Sequence, residues 1–180
     1  MKKFNLQLFA DTATKKAVDG KQIIYLFRVL SKAASTNAVA MAFTTENERS
    51  MSNESDTIAT KDGGISLPKI ETEISTTAIL AVGDPLADEL QEAMIAGEKI
   101  EVWEANLAEP IPEETDKFKG RYFQTYLSEF TQSSSAEDHV EYECSFASSD
   151  AGVAGNVTVN AAQQAAASYV FADTTKSTGA

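Results

Sequence analysis

Between Thr44 and Gly64 the chain reads TTENERSMSNESDTIATKDGG, and from Ile70 to Leu80 it alternates as IETEISTTAIL. No other stretch limits the fold as much. The first run is too hydrophilic to bury and too long for a simple hairpin turn. A structureless connection of that length inside a compact domain is, as a rule, functional or disordered. The second run needs a core for one face only. Ile70, Thr72, Ile74, Thr76, Ala78 and Leu80 share one side, and Glu71, Glu73, Ser75 and Thr77 share the other. The polar run therefore reads as a loop that docks on a neighbouring protein, carried on a β-sheet. Asn47, Glu48, Arg49, Met51, Asp56, Ile58, Lys61 and Asp62 are its candidate contact residues. Plain disorder is the alternative, but the run lacks the sustained charge of a disordered tail, and Met51 and Ile58 offer apolar surface.

The rest of the chain is read mainly as strands. Gln22 to Leu30 (QIIYLFRVL) is apolar on both alternating faces, with Arg28 its only charge, which fits a strand covered on both sides. Ala38 to Phe43 is a second strand, and Ile65 to Leu67 a short edge piece stopped by Pro68. One helix has Asp84 as its N-cap and Pro85 in its first position. Asp88 and Glu89 complement its dipole, Leu86, Leu90 and Met94 form its buried stripe, and Gly97 ends it. Further strands cover Glu98 to Leu107, Arg121 to Phe130, His139 to Ala147 and Val157 to Asn160. Connections at 108–120, 131–138 and 148–156 separate them, and a second helix runs from Ala161 to Val170. Residues 1–20 are read as an arm, 21–171 as one domain and 172–180 as a polar tail. The expected fold is mainly β: two packed antiparallel sheets, sandwich- or barrel-like, with one flanking helix.

Little in the sequence suggests catalysis. One cysteine and one histidine leave no intrachain disulfide, His/Cys zinc cluster or Cys-pair redox motif. Cys144 falls on the apolar side of its strand with Val140, Tyr142 and Phe146. His139 falls on the outer side with Glu141, Glu143 and Ser145, where it reads as a solvated histidine. There is no nucleophile elbow and no phosphate-cradling glycine loop. Glu71/Glu73 and Glu141/Glu143 each share a strand face at about 7 Å. No aromatic flanks them to hold a sugar, so they read as an acidic face rather than a glycosidase pair. Glu98/Glu101 and Glu113/Glu114 are further carboxylate pairs of the same solvated kind. The chain is read as no enzyme, with no catalytic, cofactor or metal site. Trp103 shares a face with Lys99 and Glu101 and is either an interface aromatic or a residue covered by its own subunit.

The net charge of −12 repels nucleic acid at long range, so groove binding is not expected. The longest apolar runs are far too short for a membrane span. The opening MKKFNLQLFA does not read as a signal peptide, so an intracellular site of synthesis is expected.

Taken in order, GKQIIYLFRVL, AVAMAFTTENERSMSNESDTIATKDG, ETEISTTAIL and AVGDPLADELQEAMIAGEKIEVWEANL resemble the major tail tube proteins of long non-contractile-tailed phages of Gram-positive bacteria. RYFQTYLSEF, EDHVEYECSFA and YVFADTT fit the same pattern, so the resemblance spans about Gly20 to Thr175. Its most specific parts are SDTIATKDG (Ser55 to Gly63) and Gly97 to Glu104. The resemblance implies a virion protein, assembled in the host cytoplasm, whose copies form hexameric rings with a continuous β-barrel lumen. It implies stacked rings, with the long loop reaching a neighbour, and DNA passing through without specific binding. It also implies a tape measure protein, a tail terminator and tail-tip or baseplate proteins as partners. Glu71, Glu73, Glu141 and Glu143 become candidate lumen-facing residues. A carbohydrate- or host-binding β-sandwich at the tail tip is the alternative, and a hydrolase using glutamate pairs a third reading.

Overall fold

The computed structural model describes residues 16–61 and 63–167. Its strands are β1 (Ile23–Val29), β2 (Thr44–Thr60), β3 (Gly63–Ile79), β4 (Ile100–Pro110), β5 (Lys117–Ser133), β6 (Glu141–Ser148) and β7 (Val153–Thr158). Helix α1 (Leu86–Ala96) follows β3, and α2 (Ala161–Ala167) follows β7. All pairings are antiparallel. The expected mainly-β fold with a flanking helix is the one formed.

Strand β5 belongs to both layers. Its first part pairs with β4 on one side and β7 on the other, and from Tyr126 onward it pairs with β6. One layer is thus β1-β4-β5-β7 and the other β5-β6-β3-β2. The register shifts between Leu127 and Glu129, just past the point of transfer, as expected where an extra residue bends a strand.

Between the layers lies the main core. Tyr25, Phe27 and Val29 of β1 meet Ile100, Val102, Phe123, Ile74, Tyr142, Cys144 and Phe146, and α1 closes it with Leu86, Ala87, Leu90 and Ala93. Phe27 stacks on Phe146 with ring centroids 5.0 Å apart. A second cluster covers the other side of the first layer, where Leu26, Ala105, Phe118, Val157 and Val159 are buried. That is why β1 is apolar on both faces. The alternation along Ile70 to Leu80 is also as expected, with Thr72, Ile74, Thr76 and Ala78 buried.

Several expectations need correction. The run 44–64 is not a loop: it is β2 and the start of β3, closing as a hairpin where Thr60 faces Gly63. Hydrophilicity excluded burial, but a two-stranded ribbon pairs its inward backbone groups with each other and leaves the outward ones to water, without burying a face. Pro68 does not stop a strand, since Ser55 faces it within the ladder. β6 begins to pair with β3 only at Thr72, so Pro68 has a neighbour on one side alone, where a missing N–H is tolerated. Ala38 to Phe43 is not a strand. Val39 makes a single bridge to Phe27, and the chain turns at Phe43, whose φ is 50°.

Other boundaries shift. β7 starts at Val153, inside the expected 148–156 connection, and β4 and β5 extend into 108–120 and 131–138. Met94 is exposed, and Ala87 and Ala93 join Leu86 and Leu90 against the core instead. Ser145, expected outside, is buried. In α1, Gly97 ends the helix with φ 66°, as expected. At the other end Asp84 Oδ1 accepts from the Leu86 N–H at 3.0 Å, but the helix begins at Leu86, so Pro85 stands at the N-cap rather than in the first helical position. Residues 1–15 of the expected arm, residues 168–170 of the second helix, Asp62 and the 172–180 tail lie outside the described residues.

Burial pushes the Tyr25 and Tyr142 phenols above their ordinary value of 10.0, and the Cys144 thiol from 9.0 up to about 12. Each is neutral when protonated, and each has a folded pKa above its unfolded one. The stability they contribute is therefore complete below the unfolded values and lost as pH rises through the folded ones. The protein is expected to unfold cooperatively above pH 10, with tyrosinate absorbance rising as strand circular dichroism falls. Tyrosine ionisation with the strand signal intact would contradict this.

Candidate functional site

The layer β5-β6-β3-β2 has one face on the core and one in solvent. Register places the outward residues together. Glu46 stands opposite Thr77, Glu48 opposite Ser75, Ser50 opposite Glu73 and Ser52 opposite Glu71. On the other side of β3, Thr77 faces Glu143, Ser75 faces Ser145 and Glu73 faces Ala147. Beyond β6, Glu129 faces Ser145, Thr131 faces Glu143 and Ser133 faces Glu141. Glu71, Glu73, Glu141 and Glu143 thus share one face, as their strand parities require, and Glu46, Glu48 and Glu129 join them there. Sequence parity alone does not place these last three there, because the hydrophilic β2 carries no apolar alternation and the register shift in β5 breaks its own. Glu71 pairs with Lys69 at 2.6 Å, toward the hairpin. Elsewhere the described residues of this face carry carboxylates, hydroxyls, Ala147 and, facing Ala147 at its margin, the half-exposed ring of Tyr126, with Lys99 Nζ 5.9 Å from the ring centroid.

The layer ends at β2 on one side. On the other it ends at the last part of β5, which pairs with β6 but lies past the β4 ladder. Both are open edges among the described residues, and open edges are templates for pairing with another chain.

The proposed docking residues divide. Asn47, Glu48, Arg49 and Met51 lie in the part of β2 that borders the sandwich. Arg49 makes its contacts within its own subunit: Nε donates to Glu104 Oε2 at 2.6 Å. The Tyr25 hydroxyl donates to the same oxygen at 2.6 Å, and together they tie β2 to the other layer. Asp56 and Ile58 lie in the projecting ribbon, where only their backbone is described, and Lys61 sits exposed at its turn. From Gly63 to Glu71, β3 has β2 as its only strand partner among the described residues, and at ~3.3 Å per residue the ribbon extends about 30 Å.

A second polar cluster occupies the outer side of the first layer. Glu101, only 6% exposed, accepts from Arg28 Nε at 2.7 Å and from the Tyr122 hydroxyl at 2.8 Å. Arg28 lies 5.0 Å from the centroid of the Trp103 ring, and Trp103 packs on Tyr122 at 5.2 Å. Trp103 is therefore half-covered by its own subunit. Glu101 was grouped with solvated carboxylates. The signal against that was Arg28, the one charge in an apolar strand, which needs a partner when buried. His139 is exposed and Cys144 buried, as read. Among the described residues no group of His, Cys, Asp and Glu is placed to hold a metal, and no helix is long and apolar enough to cross a membrane.

Comparison with known proteins gives a consistent set of matches. A family model described as phage tail tube protein matches residues 17–154. A relative from Staphylococcus phage phiMR25, described as a tail protein, is 32% identical over 158 residues, covering 85% of this chain and 81% of the relative. The tail tube subunit of SPP1 superposes with a TM-score of 0.63 at 20% identity, over 91% of this chain and 95% of that one. The tail of an empty gene transfer agent particle, refined with C6 symmetry, gives a TM-score of 0.56 at 15% identity, over 76% and 98%.

Proposed function

Because this chain belongs to the phage tail tube protein family and is therefore a structural component of the virion's tail, we propose that its copies close side by side into hexameric rings that stack as the tube. The observation that carries this is the β5-β6-β3-β2 layer, with an open edge on each side and one acidic face. Pairing β2 of one copy with the last part of β5 of the next continues the sheet around the ring and removes both edges. Six copies are proposed in line with the sixfold tail of the gene transfer agent particle, whose subunit shares the fold.

Closed this way, the ring directs Glu71, Glu73, Glu141 and Glu143 into the lumen, with Glu46, Glu48 and Glu129 beside them. A wall of carboxylates repels phosphate within a Debye length of ~8 Å. DNA then slides without being gripped. The role is mechanical rather than catalytic, and the tape measure, terminator and tail-tip proteins are its proposed partners at the lumen and the tube ends.

The projecting hairpin is the proposed contact between rings. Removing 47–60, as a loop reading would suggest, cuts into β2 where it borders the core. The informative deletion takes Ser55–Pro68 and closes the shortened strands with Asn-Gly. Electron microscopy and sedimentation of the purified variant are expected to show folded rings that do not stack. Tubes of normal length would refute the ring-to-ring role of the hairpin, and a parent protein that makes neither rings nor tubes with its tail tip would refute the assembly itself.

A further inference from the structure

The same two strands that carry the hairpin end, at the opposite pole of the domain, in an apolar rim with no partner among the described residues. Phe43 immediately precedes β2. It is 69% exposed, and its φ of 50° is a conformation that bulky side chains avoid. The Ile79 N–H donates to the Phe43 carbonyl at 3.1 Å, which places the rim at the exit of β3. Just beyond, Val82 is fully exposed. Leu80, Ala81, Val82, Pro85 and the carboxyl-bearing Asp84 and Asp88 line a shallow pocket there. Asp84 is engaged with the first turn of α1, whereas Asp88 is exposed. The bond from Ile79 supports the backbone at Phe43, but the ring itself stays mostly exposed. Such features mark sites whose compensation comes from elsewhere.

We propose that this rim is the seat for the hairpin arm of a second copy in the next ring. The inference rests on the tube reading above and supplies what that reading lacks, the surface that receives the arm. The argument is geometric. Arm and rim are the two ends of one pair of strands, so moving a copy along the strand direction brings the tip of one against the rim of the next. A contact between two different patches does not close on itself and so repeats without limit. The chemistry is complementary. Ile58 stands opposite Ile65 in the arm's ladder, and Lys61 lies at its turn. The rim offers apolar Phe43 and Val82 beside the Asp88 carboxylate.

The test uses full-length chains. Lys61→Cys and Val82→Cys are made in separate copies, mixed, assembled into tubes and treated with a short bis-maleimide. Cys144, fully buried, does not compete. Covalent dimers are expected from mixed tubes, and not from unstacked rings or from tubes of either variant alone. Normal tubes without mixed dimers overturn the proposal, as does equal cross-linking in single-variant tubes. Independently, Phe43→Gly with Val82→Asp relieves the backbone and removes the seat. Rings are expected to persist while mean tube length falls about tenfold. Unchanged length overturns the proposal and leaves the tube reading standing, whereas absence of rings from the parent protein removes both.

Discussion

Tails built from a chain with lysine in place of Glu71, Glu73, Glu141 and Glu143 are expected to reach normal length and deliver DNA about 100-fold less often than the parent. Length should survive because none of these side chains is in the core. Glu73, Glu141 and Glu143 are exposed, Glu71 is half-buried, and the buried partners Thr72, Ile74, Tyr142 and Cys144 point the other way. Delivery should fail because a repeated ring of ammonium groups turns a repelling wall into one that holds phosphate, and every ring adds to the hold. The loss should shrink as salt rises, since counterion release weakens each contact. The glutamine version, which removes charge without reversing it, should fall between. Plaque counts alongside receptor-triggered DNA release measure the effect, and undiminished release by the lysine variant would show that this face is not the lumen.

Gly120→Ala is expected to cost about 3 kcal/mol or more of folding stability. A β-carbon there would lie 2.2 Å from the carbonyl oxygen of Glu104 and 2.6 Å from Val157 Cγ2. The first obstacle is backbone, held in the ladder that sets Gly120 opposite Ala105. The second is a buried member of the outer core. Neither gives way without opening the β4-β5-β7 layer. Gly155 faces Gly120 across β7 and has nothing within 4 Å of its added carbon, so Gly155→Ala serves as the control, with a change under about 1 kcal/mol. Chemical denaturation of both variants decides the matter, and equal midpoints would contradict the steric argument.

Much of the fold was legible because period-two patterning reports burial directly. Ile74, Thr76 and Ala78, or Tyr142, Cys144 and Phe146, could hardly face anywhere but a core. The doubly apolar β1 likewise announced a layer covered on both sides. What stayed hidden depended on partners rather than pattern. The ribbon of β2 and β3 buries too little to leave a hydrophobic signature, and its strand character comes from the ladder between its own halves. Glu101 and Glu104 look solvated until Arg28, Tyr122, Tyr25 and Arg49 are placed around them, which needs the register between distant strands. The acidic face was half-read: β3 and β6 declared their outward glutamates, while Glu46, Glu48 and Glu129 needed the sheet order.

The strand shared by both layers has a mechanical consequence. In the tube proposed above, the inner lining and the outer jacket are not two parts glued together. One unbroken backbone, Lys117–Ser133, runs through both in every subunit. When the particle flexes or its contents surge outward, lining and jacket cannot shear apart unless each subunit first unfolds along that strand. Bending is then left to the seams between copies, where contacts can open and re-form without damage to any one molecule.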